Sequence, residues 1–131
     1  MTRWLVDGMN LIGSRPDGWW RDRAGAMRKL VAELERFVAE TGDEVTVVFD
    51  GRPGGERPPP GESAGGRLWV EFAPGGRNAA DDRIVERVEE LREPSAVSVV
   101  TSDKGLVDRI AGSGVALVSV GRFRRLLDRD A

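Results

Sequence analysis

Five aspartates carry the chemistry this chain could perform. Asp7 closes the apolar run Trp4-Leu5-Val6, Asp50 closes Val45 to Phe49, Asp81 and Asp82 open a helical pattern, and Asp103 follows Thr101-Ser102. Each type of position has an ordinary structural role as well: Asp-Gly is a common turn pair, Asp103 can cap a helix starting at Lys104, and acids in a first helical turn complement its dipole. Together they mean more, because all of these positions project to one edge of a sheet. Carboxylates crowded there raise one another's pKa unless a cation neutralises them. Oxygen donors without a soft ligand select Mg2+ or Mn2+. The chain has no His, no Cys and no Tyr. That excludes disulfides, thiolate zinc sites, cysteine nucleophiles, serine–histidine triads and histidine bases or ligands. A metal-bound water is then the obvious nucleophile, and divalent-metal phosphoester hydrolysis is the reaction class that fits.

The elements that must position these acids follow from periodicity. Apolar, continuous runs at Trp4 to Val6, Val45 to Phe49 and Val97 to Val100, with an alternating run at Leu68 to Ala73 and a fifth at Val115 to Val120, predict five strands. A polar loop containing Arg15-Pro16-Asp17-Gly18 is expected after the first strand. Helices are expected from about Ala24 to Glu40, from Ala79 until Pro94, from Lys104 to Ala111 and from Arg122 to Leu127. Between Gly51 and Arg67, ten of seventeen residues are Gly or Pro, which predicts a long mobile loop. Strands alternating with amphipathic helices imply a parallel sheet covered on both faces, whose ligands bind outside the carboxyl ends of the strands.

At 131 residues, 40% hydrophobic and 32% charged, the chain has the size and composition of one globular domain, residues 1–131. The net charge of −2 gives no global pull toward nucleic acid or an anionic membrane. Only Lys29 and Lys104 are lysines and the other eighteen basic residues are Arg, a residue suited to bidentate phosphate contacts. No signal-sequence pattern and no spanning apolar run is present, so a cytoplasmic location without a membrane partner is expected.

Asp7-Gly8-Met9-Asn10, Val48-Phe49-Asp50, Ala80-Asp81-Asp82-Arg83-Ile84 and Thr101-Ser102-Asp103 occur in an order and context that resembles the bacterial YacP-like group of NYN domains, which are PIN-like ribonucleases. The resemblance covers Arg3 to about Leu127 and implies an α/β, three-layer PIN-like fold with a five-stranded, mainly parallel sheet in the order 3-2-1-4-5. It further implies a Mg2+- or Mn2+-dependent endoribonuclease. By position Asp7, Asp81 and Asp103 become the metal ligands, Asn10 holds the first acid or the substrate phosphate, and Asp50 and Asp82 complete the catalytic set. Thr101 and Ser102 would orient Asp103 or a water. Met9 stands where Tyr is frequent in the group.

Trp19-Trp20, flanked by Arg15, Arg21 and Arg23, could stack on unpaired bases or close over the helix end as a hydrophobic lid. Arg15, Arg21 and Arg52 are the substrate-side cations, while Arg52, Arg57 and Arg67 in the Gly/Pro-rich segment and Arg122, Arg124 and Arg125 near the C-terminus are candidate phosphate contacts. The expected partner is single-stranded RNA, with ribosome-associated mRNA one setting for it, and no organic cofactor. The competing reading is a non-catalytic RNA- or ribosome-binding module of the same fold. A receiver-like phosphoacceptor domain lacks an acidic pair after the first strand and a lysine after the fifth, where Val120-Gly121-Arg122 stands. A dinucleotide-binding domain would need a glycine spacing that Gly8 to Gly18 does not contain.

Overall fold

In the computed structural model residues 1–76 and 78–129 are described. The elements are β1 (Arg3–Asp7), α1 (Gly8–Ile12), α2 (Arg23–Thr41), β2 (Glu44–Asp50), β3 (Gly61–Ser63), β4 (Leu68–Ala73), α3 (Ala79–Glu89), β5 (Val97–Val100), α4 (Lys104–Ile110), β6 (Ala116–Val118) and α5 (Val120–Arg129). Short 3-10 turns lie at Trp19–Arg21, Ala64–Gly66 and Pro94–Ala96.

The central strands β1, β2 and β5 are mainly apolar because both faces of the sheet are covered there. Val6, Val47 and Val100 point to one side, where they meet Leu11, Leu30, Leu34, Phe37 and Phe123 of α1, α2 and α5. Their chain neighbours Leu5, Val48 and Val99 point to the other, against Ile84, Val88, Leu106 and Ile110 of α3 and α4. Alternation along a strand therefore fills two cores, which makes three layers.

The sheet has six strands in the order β3-β4-β2-β1-β5-β6, not five in the order 3-2-1-4-5. The addition is β3, which pairs antiparallel with β4 at the edge, Glu62 opposite Trp69. All other pairings are parallel. The Gly/Pro-rich segment 51–67 is thus not loop throughout. Its later part joins the sheet, with the chain reversed by the Ala64–Gly66 turn, in which Ala64 and Gly65 have positive φ. Ser63 Oγ bonds Glu35, and Arg28 Nη1 donates to the Glu56 carbonyl at 2.5 Å, so two contacts tie the segment to α2.

Two further differences bear on the site. The loop expected after β1 opens with α1 in its place, where a Cβ at Gly8 would stand 2.6 Å from the Phe49 ring. Only glycine lets the chain turn from strand to helix this close to β2. The last strand ends at Val118, and Val120 begins α5 rather than closing the strand. β1 lies between β2 and β5, and the chain leaves it toward one side first and reaches the other later. The crevice of such a sheet opens at the carboxyl end of this central strand. No helix among the described residues is long and apolar enough to cross a membrane.

Candidate active site

Asp7, the last residue of β1, lies at that crevice and is only 5% exposed. Its carboxylate accepts from Thr101 Oγ1 at 2.9 Å. Burial is the largest influence on its pKa and pushes it from 3.8 to about 7. The Thr101 hydroxyl and the Asn10 backbone N–H favour the ionised form, while Asp81 and Asp50 oppose it. Asp7 is therefore a carboxyl that readily holds a proton near neutral pH.

Three more acids from three other elements share its cleft, an open space of about 310 Å³ lined by Asp7, Met9, Asn10, Asp50, Asn78, Asp81 and Asp103. Asp50 ends β2. Asp81 sits in the first turn of α3, its pKa raised by partial burial first, then by Asp103 and Asp50, with Arg109 opposing and Asp82 adding to the rise. Asp103 precedes α4 and caps it, Oδ1 accepting from the Leu106 amide at 3.1 Å. Asp103 thus caps a helix and lines the cleft at once.

Asn10 and Thr101 join the two central strand ends. Asn10 Oδ1 accepts from the Ser102 amide at 2.8 Å, and Thr101 Oγ1 accepts from the Asp103 amide at 3.1 Å. The first helix after β1 thereby holds the turn after β5. Ser102 Oγ in turn accepts from the Val120 amide at 3.0 Å and anchors the start of α5.

Not every expected residue joins this group. Asp82 faces another groove and bonds Arg109 Nη1 at 2.8 Å. One residue of helix rotates a side chain by about 100°, and this separates Asp82 from Asp81. Arg15 is bound to Asp128 of α5 at 2.5 Å, which neutralises its charge. Arg52 is exposed, and its carbonyl accepts from Arg57. Trp19 packs against the core and meets Trp20 edge-on at 6.1 Å. Trp20 is 56% exposed with the Arg21 guanidinium 5.9 Å from its ring centroid. Of the pair, Trp19 is therefore the one that packs, and Trp20 the one whose ring faces solvent.

Two cations carry weight that the sequence did not reveal. Arg23 lies 5.7 Å from the Trp19 ring centroid and reaches to 4.0 Å from Asp50, so it stands at the cleft rim. Arg109 bonds Asp82 and lowers the pKa of Asp81. Each pairs with an acid far away in the chain, which no local motif could signal.

The donor set fits a hard divalent cation in charge and atom type: four carboxylates, two of them with raised pKa, with no imidazole or thiolate in the lining. Among the described residues, however, no three acids already converge as a metal-holding group. The cleft is acidic without being a closed cage.

No curated protein matches the chain. Among solved structures it is similar to Rae1 (YacP) from Bacillus subtilis, with 26% identity over 99% of this chain and 77% of that one, at a TM-score of 0.78 for the W164L mutant. A second crystal structure of Rae1 (YacP) gives 26% identity, 99% and 75% coverage and a TM-score of 0.76. The sequence pattern of the YacP-like NYN domain matches residues 4–131. The chain belongs to the YacP-like NYN domain family, within the PIN-like ribonuclease superfamily.

Proposed function

We propose that this protein is a Mg2+- or Mn2+-dependent endoribonuclease acting on single-stranded RNA. The observation that carries this reading is the meeting of four aspartates, from β1, β2, α3 and the turn before α4, in one cleft around a buried carboxyl. Membership of a ribonuclease superfamily supports it. Asp7, Asp81 and Asp103 would hold the ion, which when bound supplies charge neutralisation and a more acidic water. Thr101 fixes the rotamer of Asp7, and Asn10 fixes the turn that carries Asp103. Asp50, half-exposed at the rim, is the carboxylate left to accept a proton from the attacking water. Asp82 acts through Arg109, whose guanidinium moderates the charge on Asp81.

On the Asp50 side, Arg23 offers a phosphate contact, and Trp20 with Arg21 offers a face on which an unpaired base can stack. Presentation of mRNA on the ribosome is compatible with so open a cleft, and a cytoplasmic setting follows from that substrate.

The test is cleavage of end-labelled single-stranded RNA with and without Mg2+ or Mn2+. We expect internal cuts that chelator abolishes and that Asp7→Asn and Asp103→Asn each reduce on the order of 10³-fold. Unchanged activity in both variants would overturn the site. Metal-independent RNA binding with no cleavage would favour a binding module.

A further inference from the structure

Helix α5 carries four arginines, and the fold separates them by role. Arg124 turns inward and lies 2.9 Å from Glu33 of α2, both side chains largely buried. Arg122, Arg125 and Arg129 are exposed. At about 100° per residue they fall within an arc of about 60°, opposite the buried Val120, Phe123 and Leu127. The three border one shallow surface depression together with Leu126 and Asp128. Asp128, the acid of α5, is bound by Arg15. Among the described residues, neither Arg122 nor Arg125 lies in an ion pair.

This stripe has a defined place. The amide of Val120 bonds Ser102 Oγ, and Ser102 is the chain neighbour of Asp103 in the cleft wall. The stripe therefore starts at the β5 side of the acidic cleft and runs away from it for about 10 Å, at roughly 1.5 Å per residue. Asp50, at the end of β2, and Arg23 beside it lie on the other side of β1. The apolar face of α5 is buried in the core, so the helix has no face left to insert into a lipid surface.

We propose that Arg122, Arg125 and Arg129 form a track for the phosphate backbone of single-stranded RNA on the β5 side of the cleft. This rests on the ribonuclease reading and extends it: the strand is gripped on both sides of the acids, so a longer RNA gains contacts that a short one lacks. An acidic cleft repels a polyanion. A neighbouring row of exposed guanidinium groups offsets that repulsion without touching the reacting phosphate.

The experiment compares the double variant Arg122→Glu/Arg125→Glu with Arg3→Glu/Arg92→Glu, which makes the same change in net charge near the amino ends of β1 and β5. Both proteins are first checked for the wild-type thermal midpoint. Cleavage of a 20-nucleotide and a 6-nucleotide RNA is then measured across a salt series. We expect KM for the 20-mer to rise about tenfold or more in the α5 variant and by far less for the 6-mer, with kcat retained. The slope of log KM against log salt should fall by about 1.4, the value for two lost single-strand phosphate contacts. Arg122→Lys/Arg125→Lys should restore most of the binding. If wild type and both variants cleave the two RNAs alike, with equal salt slopes, the track is overturned while the ribonuclease reading stands. If wild type cleaves no RNA with either metal, the ribonuclease reading itself falls. If the α5 variant instead loses binding to an acidic protein at unchanged RNA kinetics, the track is likewise overturned.

Discussion

Two regions of this molecule hold partly buried carboxylates, and they treat them in opposite ways. On β4, Glu71 is bonded by Arg83, and its second oxygen lies 2.6 Å from Arg87, both on α3. Arg83 responds with a raised pKa, caused chiefly by its hydrogen bond to Glu71, so the carboxylate here meets two cations rather than other acids. At the cleft, Asp7 is more deeply buried, yet its neighbours are Asp81 and Asp50, and it is left to hold a proton. The same α3 supplies both environments, two guanidinium groups to one and Asp81 to the other. A carboxylate that only stabilises the fold is neutralised within the fold. Four that are left facing one another leave a deficit of positive charge, which is the condition for recruiting a cation from solution.

The largest expected effect is therefore a divergence of stability and activity at Asp7. Its folded pKa of about 7 lies above the ordinary 3.8, so the folded state binds the proton more tightly than the unfolded one. The sign follows: the contribution of Asp7 to stability is complete below pH 4, is lost as pH rises toward 7, and stays lost above it. A rise of this size corresponds to about 4 kcal/mol. In chelator at pH 8, Asp7→Asn should unfold at a higher denaturant concentration than wild type, with the gap closing toward pH 4, while with metal supplied its cleavage rate collapses relative to wild type. A variant less stable than wild type at pH 8 would mean that the cleft already neutralises Asp7. Added Mn2+ should reverse the order, stabilising wild type and leaving Asp7→Asn unmoved.

Glu71→Gln tests the compensated side. Losing one ionised acceptor shared by two arginines should cost about 1.5–2 kcal/mol in chemical denaturation, the range for hydrogen bonds to charged groups reduced for partial exposure. Cleavage per folded molecule should not change. A matching fall in activity would show that the two regions are coupled through α3.

Much of the contrast was legible in the residues. Strands β1, β2 and β5 are largely apolar runs with an acid at or just after each end, and a parallel sheet brings such ends together. What was not legible depends on contacts distant in the chain. Helix α1 has five residues and no side-chain cap, and it exists because Gly8 fits against Phe49 and Leu11 and Ile12 fill the core. Strand β3 has the composition of a loop and becomes a strand only because β4 offers an open edge. Arg109 meets Asp82 across 27 residues, and Arg23 meets Asp50 only after α2 has returned the chain to β2. Composition fixes which charges exist, and packing fixes which of them cancel.

The adjacent pair Asp81 and Asp82 carries the comparison to its finest scale. The two share a helix turn and a residue type, yet Asp81 lines the cleft, whereas Asp82 is exposed and bonded to Arg109. Neutralising Asp81 removes a donor from the site and should reduce cleavage on the order of 10³-fold. Neutralising Asp82 removes a negative neighbour of Asp81 and also frees Arg109, which already moderates Asp81. Both changes lower the pKa of Asp81, so Asp82→Asn should move the acid limb of the pH–rate profile to lower pH while the plateau rate changes by no more than about threefold, as for a largely exposed pair. Double Asp82→Asn/Arg109→Gln should return the limb toward its original position, since the freed cation is gone. A plateau loss in Asp82→Asn as large as that of Asp81→Asn would place both acids at the reacting phosphate and erase the distinction that one step of helix rotation creates.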